Sequence, residues 1–343
     1  MTEFRIGDRR IGPDDPPFVM AEVGINHEGD VEKAFQMVDA AAATGADCVK
    51  IQTHITEMEM VPTDIKPANS DDPIWDIIKR CELTAEEEAR VKERCDEKGI
   101  LFLSTPFSRE ASDQLEKLNV PAYKIGSGEC NNIPLIEHIA RKGKPIILST
   151  GMNDIPAIRT SVEAVLRIGV PLMLMHCVSM YPTPYGSVHL RAIQELQREF
   201  GLPVGLSDHS VGIYTCLGGV ALGACALEKH FTLTREWPGP DMPISLEPDE
   251  LRELVVGSRA VWEGVRGGGK VIQPDEQPVI NFAYASVVTI APIPAGTTLS
   301  LENVWVKRPG DGEFLAKDLD SIVGRKAARD IPANIQIKSE DLI

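Results

Sequence analysis

From residue 17 onward the chain alternates short apolar runs with longer amphipathic segments, and this alternation limits its fold more than any other feature. The runs are FVMAEVGI (18–25), DCVKIQTH (47–54), GILFLSTP (99–106), AYKIGSGE (122–129), PIILSTGM (145–152), PLMLMHCVS (171–179), PVGLSDHS (203–210) and ACALEKHF (224–231). Near-continuous apolar runs of this length read as strands buried on both faces, the mark of a parallel sheet covered by helices. The segments between them read as those helices. DVEKAFQMVDAAAATG sets Phe35, Val38 and Ala42 on one face and ends at Gly45, a left-handed stop. TAEEEARVKERCDEKG and DIPAIRTSVEAVLRIG are built alike, and a further helix is expected over 248–265. Eight βα units in about 250 residues predict a closed (β/α)8 barrel, a TIM barrel, within an α/β fold. The alternative, an open doubly wound sheet, would carry a glycine-rich dinucleotide loop after its first strand, and the sequence has none there.

Composition changes after residue 265. The barrel, with a short N-terminal extension, is assigned 1–265, and the Gly-, Pro- and charge-rich stretch 266–283 reads as a linker. Residues 284–343 carry short β-like runs and an internal echo, IPAGTTLSLENV (293–304) against IPANIQIKSEDL (331–342). Two copies of one small unit predict a compact β-rich domain with pseudo-twofold symmetry.

The formal charge of −16 excludes a nucleic-acid binder, which needs a basic face, but leaves room for a small anionic substrate held by a local cluster of cations. Seven scattered cysteines without CxxC spacing read as reduced thiols of a cytoplasmic protein. No apolar run approaches a membrane span or a leader peptide, so a soluble protein with no membrane partner is expected.

In a (β/α)8 barrel the active site is built at the C-terminal ends of the strands. Those ends here carry Glu22; Lys50, Gln52 and His54; STPF at 104–107; Lys124, Ser127 and Glu129; Ser149 and Thr150; His176, Ser179 and Tyr181; Ser207, Asp208 and His209; Glu228 and His230. Lysines inside apolar strands are costly unless paired, so Lys50 and Lys124 call for anionic partners, and a bound phosphate or carboxylate fits. Ser127, Ser149 and Ser207, with the Gly126–Gly128 backbone, supply neutral donors to the same anion. His209 and His230, on neighbouring strand ends, suit a borderline divalent metal with positions left for water and substrate. On spacing alone the pair reads equally as metal ligands or as polar strand caps. GVRGGGKV (264–271) lacks the Ser/Thr of a P-loop and reads as linker.

Ten motifs in order, AEVGINHEGD, VKIQTH, STPFSRE, AYKIGSGECNN, KPIILSTGM, YPTPY, GLSDHS, LEKHFT, PGPDMPISLEPDE and WVKRPGDG, resemble the bacterial N-acetylneuraminate (sialic acid) synthase family over nearly the whole chain. The C-terminal segment resembles that family's antifreeze-like (SAF, β-clip) domain. The resemblance implies condensation of phosphoenolpyruvate with open-chain N-acetylmannosamine, giving sialic acid and phosphate with C–O cleavage, by a metal-dependent transferase. It implies His209 and His230 as ligands of Mn2+, with Mg2+ or Co2+ as alternatives. Lys50, Lys124, Ser127, Ser149 and Ser207 would hold phosphoenolpyruvate, and Glu22, Gln52, Tyr181 and Asp241 the sugar. Thr105, Phe107, Glu129 and Phe282 would line the site, with Glu22 and Glu129 as proton handlers. Arg308 would reach the N-acyl group from the other subunit of a domain-swapped homodimer. Ser179 in HCVSMYPTP departs from the Asn of some family members and opens a second reading, a legionaminic or pseudaminic acid synthase using a different N-acylated hexosamine. A metal-assisted barrel hydrolase and a non-catalytic carbohydrate binder are the more distant alternatives.

Overall fold

The computed structural model describes residues 4–343 and divides into two compact units, Met1–Gly267 and Gly268–Ile343. The first opens with a small antiparallel hairpin, β1 (Phe4–Ile6) and β2 (Arg9–Ile11). Eight parallel strands follow: β3 (Phe18–Gly24), β4 (Cys48–Thr53), β5 (Leu101–Pro106), β6 (Tyr123–Ile125), β7 (Ile146–Ser149), β8 (Leu172–Cys177), β9 (Val204–Asp208) and β10 (Ala226–His230). Their hydrogen-bonded order is β5-β4-β3-β10-β9-β8-β7-β6, and β5 and β6, at its two ends, pack side by side to close the barrel. Each strand coincides with one of the apolar runs.

The helices are α1 (Val31–Thr44), α2 (Thr56–Glu59), α3 (Ile74–Cys81), α4 (Ala85–Lys98), α5 (Arg109–Lys117), α6 (Ile133–Ala140), α7 (Ile155–Ile168), α8 (Ala192–Phe200), α9 (Tyr214–Ala221) and α10 (Pro248–Val265). Helix α1 starts where Asp30 accepts from the backbone N–H of Glu32 and Lys33, and stops at Gly45 with φ 83°. Its buried stripe is Ala34, Met37, Val38 and Ala41, one position off the expected face. Phe35 and Ala42 are only partly buried, at the edge of the core. Helices α2 and α3 lie in an insertion between β4 and β5 that the βα alternation does not predict.

The two-residue alternation of each strand sorts its side chains into two cores. Outward-facing Val19, Ala21, Val49, Ile51, Leu148, Leu174 and Leu206 pack under the helices. Inward-facing Phe18, Met20, Cys48, Leu103, Ile147, Met173 and Ala226 fill the lower barrel, where Phe4, Ile6 and Ile11 of the hairpin join them. The inward positions above this plug are the polar ones, so the barrel is apolar below and chemically equipped above. Among the described residues no helix is long and apolar enough to cross a membrane.

In the second unit the stretch expected as a linker carries α11 (Gln277–Ala283), followed by β11 (Ser286–Thr289), β12 (Val304–Lys307) and the short α12 (Leu319–Ile322). Val287, Ile293, Leu299, Val304, Ile331 and Ile337 form its core. The two IPA echoes meet: Ile293 and Ile331 exchange both backbone hydrogen bonds, at 2.9 and 2.8 Å. Gly296 and Asn334, equivalent in the two copies, both have left-handed backbones, at φ 78° and 63°. A position that needs αL takes Gly in one copy and Asn in the other, the two residues that tolerate it best.

Candidate active site

The upper barrel encloses a cavity of about 310 Å3. Thirteen of the expected residues line it: Glu22, Lys50, Gln52, Thr105, Phe107, Lys124, Ser127, Ser149, Ser179, Tyr181, Ser207, His209 and His230. At its floor four charges form a chain. Lys50 Nζ lies 2.7 Å from Glu22 and 3.8 Å from Glu228, and Lys124 Nζ lies 2.8 Å from Glu228. Lys50 also donates to Thr105 Oγ1 at 3.0 Å, and Ser207 Oγ donates to Glu228 at 2.8 Å.

This corrects one step of the sequence argument. Glu228 bridges both lysines from within the chain, so their burial does not by itself require a ligand. Glu228 shares the inward face of β10 with His230, two residues on, and the spacing alone could have placed it. Burial pushes the Glu22 carboxyl up to about 7, against the opposing pull of Lys50. Burial also acts to raise Glu228, but Lys124 and Lys50 together hold it well below the ordinary carboxylate range. Burial lowers Lys124. With Glu228 ionised and Glu22 titrating near neutrality, the floor carries more positive than negative charge whenever Glu22 is protonated. The Ser149 hydroxyl is buried there with no hydrogen-bond partner. An unmatched buried donor beside two ammonium groups is what an anion site requires.

The imidazoles of His209 and His230 stand with ring centroids 5.4 Å apart, and Tyr181 packs against both, at 4.2 and 6.0 Å. His209 Nδ1 donates to the Val178 carbonyl at 2.9 Å, which fixes the ring and leaves Nε2 to a ligand. His230 Nδ1 is buried without a hydrogen-bond partner and sits 3.7 Å from Asp241. Burial, reinforced by His209, holds His230 well below its usual value and keeps it in the neutral form that binds metals. The two rings are of a kind that could hold a divalent ion, whose remaining positions would fall to water and substrate. Among the described residues no group of three or more His, Cys, Asp or Glu side chains could hold a metal unaided.

Backbone shape matters at two glycines. Gly24, at φ 55°, follows the register shift at the end of β3, and a Cβ there would meet Glu22, Gln52 and His230 within 3.7 Å. A Cβ on Gly151 would lie 2.5 Å from Ser179 Oγ and 2.8 Å from Ser127 Oγ. The motif GINHEG acts mainly as an anchor, since buried Asn26 donates to the Phe231 carbonyl and to Ser245, both at 2.9 Å. Asp208 and Lys229 point out of the barrel, where they pair at 2.8 Å beneath Ser210 and Thr215.

Four expected residues, Glu129, Asp241, Phe282 and Arg308, are not among those that line this cavity. Strand β6 stops at Ile125, and Ser127–Glu129 forms a single tight helical turn. Glu129 therefore lines a neighbouring cleft with Arg109 and His138, and its carboxylate accepts from Asn132 at 2.6 Å. Phe282, exposed on α11, and Arg308, just after β12, belong to the second unit. Asp241 lines a chamber next to the mouth, and burial pushes its carboxyl up to about 6. On that chamber's wall His54 stacks on Phe107 at 4.5 Å. Its ring nitrogens face Glu59 at 2.9 Å and Gln52 Oε1 at 3.0 Å, turning the Gln52 NH2 toward Glu22.

Comparisons with known proteins identify the family. The model of the NeuB family matches residues 37–270, and that of the SAF domain matches residues 284–343. An N,N'-diacetyllegionaminic acid synthase of Campylobacter jejuni is 37% identical, over 87% of this chain and 94% of its own. An N-acetylneuraminate-9-phosphate synthase of Mus musculus is 32% identical, over 97% of this chain and 95% of its own. A crystal structure of the N-acetylneuraminic acid synthetase of Leptospira borgpetersenii superposes with a TM-score of 0.75 at 35% identity, covering 81% of this chain and 95% of that one. The chain belongs to the NeuB family of sialic acid synthases and related legionaminic and pseudaminic acid synthases, and it ends in a SAF domain.

Proposed function

We propose that the protein condenses phosphoenolpyruvate with the open-chain form of an N-acylated hexosamine, releasing phosphate and a nine-carbon 2-keto sugar acid. N-acetylmannosamine is the reference acceptor. The observation that carries this reading is one mouth that gathers two lysines, an unmatched Ser149 hydroxyl and two metal-competent imidazoles. The second reading, a legionaminic or pseudaminic acid synthase, is favoured by Ser179, which lines the boundary between mouth and chamber.

Carbon 3 of phosphoenolpyruvate bonds to the sugar aldehyde carbon, water adds at carbon 2, and the C–O bond to phosphate breaks, so one water is consumed per phosphate released. Lys50 and Lys124 hold the phosphate, with Ser149 and Ser127 as neutral donors. His209 and His230 would hold a divalent ion, Mn2+ first, which when bound supplies Lewis acidity at the aldehyde oxygen. Glu22, poised near neutrality, is the carboxyl at the mouth able to take or give a proton there. Thr105 and Glu228 orient the lysines. Arg308 of the partner subunit would reach the N-acyl group in a domain-swapped homodimer.

Phosphate release from phosphoenolpyruvate should require both an N-acylated hexosamine and Mn2+, and should stop on EDTA treatment. The His230→Ala variant should fold and lose turnover by at least about a hundredfold. Release that ignores EDTA, or occurs without any sugar, would overturn the reading.

A further inference from the structure

We infer that the chamber beside the mouth holds the far end of the acceptor sugar and selects an N-acylated hexosamine whose far end is uncharged and apolar over one ending in a phosphate. The inference rests on the synthase reading and deepens it.

The chamber has a volume of about 690 Å3 and shares Gln52, Phe107, Ser179 and Tyr181 with the mouth, so the two are continuous. The mouth, at about 310 Å3, lies at the lower end of the range for a single small-molecule site. It has to take phosphoenolpyruvate and the reacting aldehyde together, which leaves the rest of a six-carbon sugar to extend into the chamber. The chamber's surface is mostly hydrocarbon: Ile25, Met60, Pro67, Ile74, Ile77 and Ile78. Ile25, Ile77 and Ile78 form with Cys81 one small apolar cluster, against which Met60 and Ile74 pack, and it pins α3 against the end of β3. Asn69 donates to the Pro240 carbonyl at 3.0 Å across the outer lip and ties the insertion to the loop after β10.

Charge decides the sign of the selection. Among the described residues no Lys or Arg lines the chamber. Its ionisable groups are Glu59, Asp241, His54 and the Tyr181 phenol, and His54 is already committed to Glu59 at 2.9 Å and to Gln52. A phosphate entering there would lose water, find no Lys or Arg in the chamber's own lining and face two carboxyl groups, a desolvation cost that this lining does not return. A methyl terminus or a second acylamino group would instead bury apolar surface against the isoleucines.

The test is a three-sugar panel with phosphoenolpyruvate and Mn2+: 2,4-diacetamido-2,4,6-trideoxymannose, N-acetylmannosamine and N-acetylmannosamine 6-phosphate. The expected order of kcat/KM for phosphate release is the one just given, with steps of roughly tenfold or more. Ala68→Lys on the exposed rim and Ile74→Lys on α3 should each narrow the gap between the first and third sugars by about tenfold. A phosphorylated sugar that matches or beats either of the others overturns the inference while leaving the synthase reading standing. So does N-acetylmannosamine outperforming the trideoxy sugar. If no sugar elicits phosphate release, the synthase reading falls, and calorimetric titration of the same sugars decides the chamber separately. The same order of affinity supports the inference there, and any other order, or no binding, overturns it.

Discussion

Glu22 and Glu228 flank the same Lys50 ammonium, yet burial and charge move them in opposite directions. Glu228 has two lysines within reach and is held ionised; Glu22 has one, and burial prevails. The consequence for stability has a definite sign. A carboxyl at about 7 in the folded state and 4.5 unfolded binds more protons when folded. Its contribution is therefore fully present below the unfolded value and is lost as pH rises through the folded one. Relative to Glu22→Gln, the wild type should lose stability between about pH 4.5 and somewhat above pH 7, as read by urea unfolding across that range. A difference between the two proteins that does not vary with pH would show that Glu22 titrates normally. At this scale the sequence exposed the cast but not the pairing. Lys50, Lys124, His209 and His230 stood out as polar residues in apolar strands. That Glu228 pairs with both lysines depends on which strands are neighbours across the barrel.

The strands were legible because burial on both faces leaves an unbroken apolar run, and the inward polar residues could then be counted off in twos. Two element-level features escaped. Strand β6 ends one residue before Gly126, and the tight turn that follows takes Glu129 out of the alternation and into a neighbouring cleft. The insertion between β4 and β5 lies outside the βα alternation, although Ile74, Ile77, Ile78 and Cys81 follow the i, i+3, i+4, i+7 spacing of an amphipathic helix. That insertion builds the acceptor chamber. Behind the site, strands β9 and β10 are joined by the outward pair Asp208–Lys229, both side chains almost wholly buried. Asp208→Asn leaves the Lys229 ammonium buried and uncompensated, and should cost roughly 3–5 kcal/mol in urea denaturation. A loss under about 1 kcal/mol would mean the ammonium finds other acceptors.

For the whole molecule, the site residues divide between the two units. Phe282 and Arg308 lie in the second unit, the metal-competent histidines and the lysines in the first. If Arg308 serves a partner's active site, Arg308→Ala should raise the hexosamine KM by about tenfold or more while leaving that for phosphoenolpyruvate unchanged, the cost of one charge-assisted hydrogen bond. Mixing Arg308→Ala with His230→Ala protomers should then restore part of the activity, because one site of each mixed dimer has both residues intact. No gain on mixing would place Arg308 in its own subunit's site or in none.

By itself the sequence determined the architecture and the inventory. Eight apolar runs leave little but a barrel, the two-residue period divides each strand into a core face and a mouth face, and the IPA echo announces a paired small domain. These are properties of single elements, and each can be read along the chain. The tertiary structure decided what depends on distance between elements. It set Glu228 between two lysines, left Ser149 and a His230 nitrogen unmatched, drew Glu129 aside, and lined the acceptor chamber with isoleucines and no cation. Charge and solvation act through space, so their balance appears only once the strands are closed into a ring.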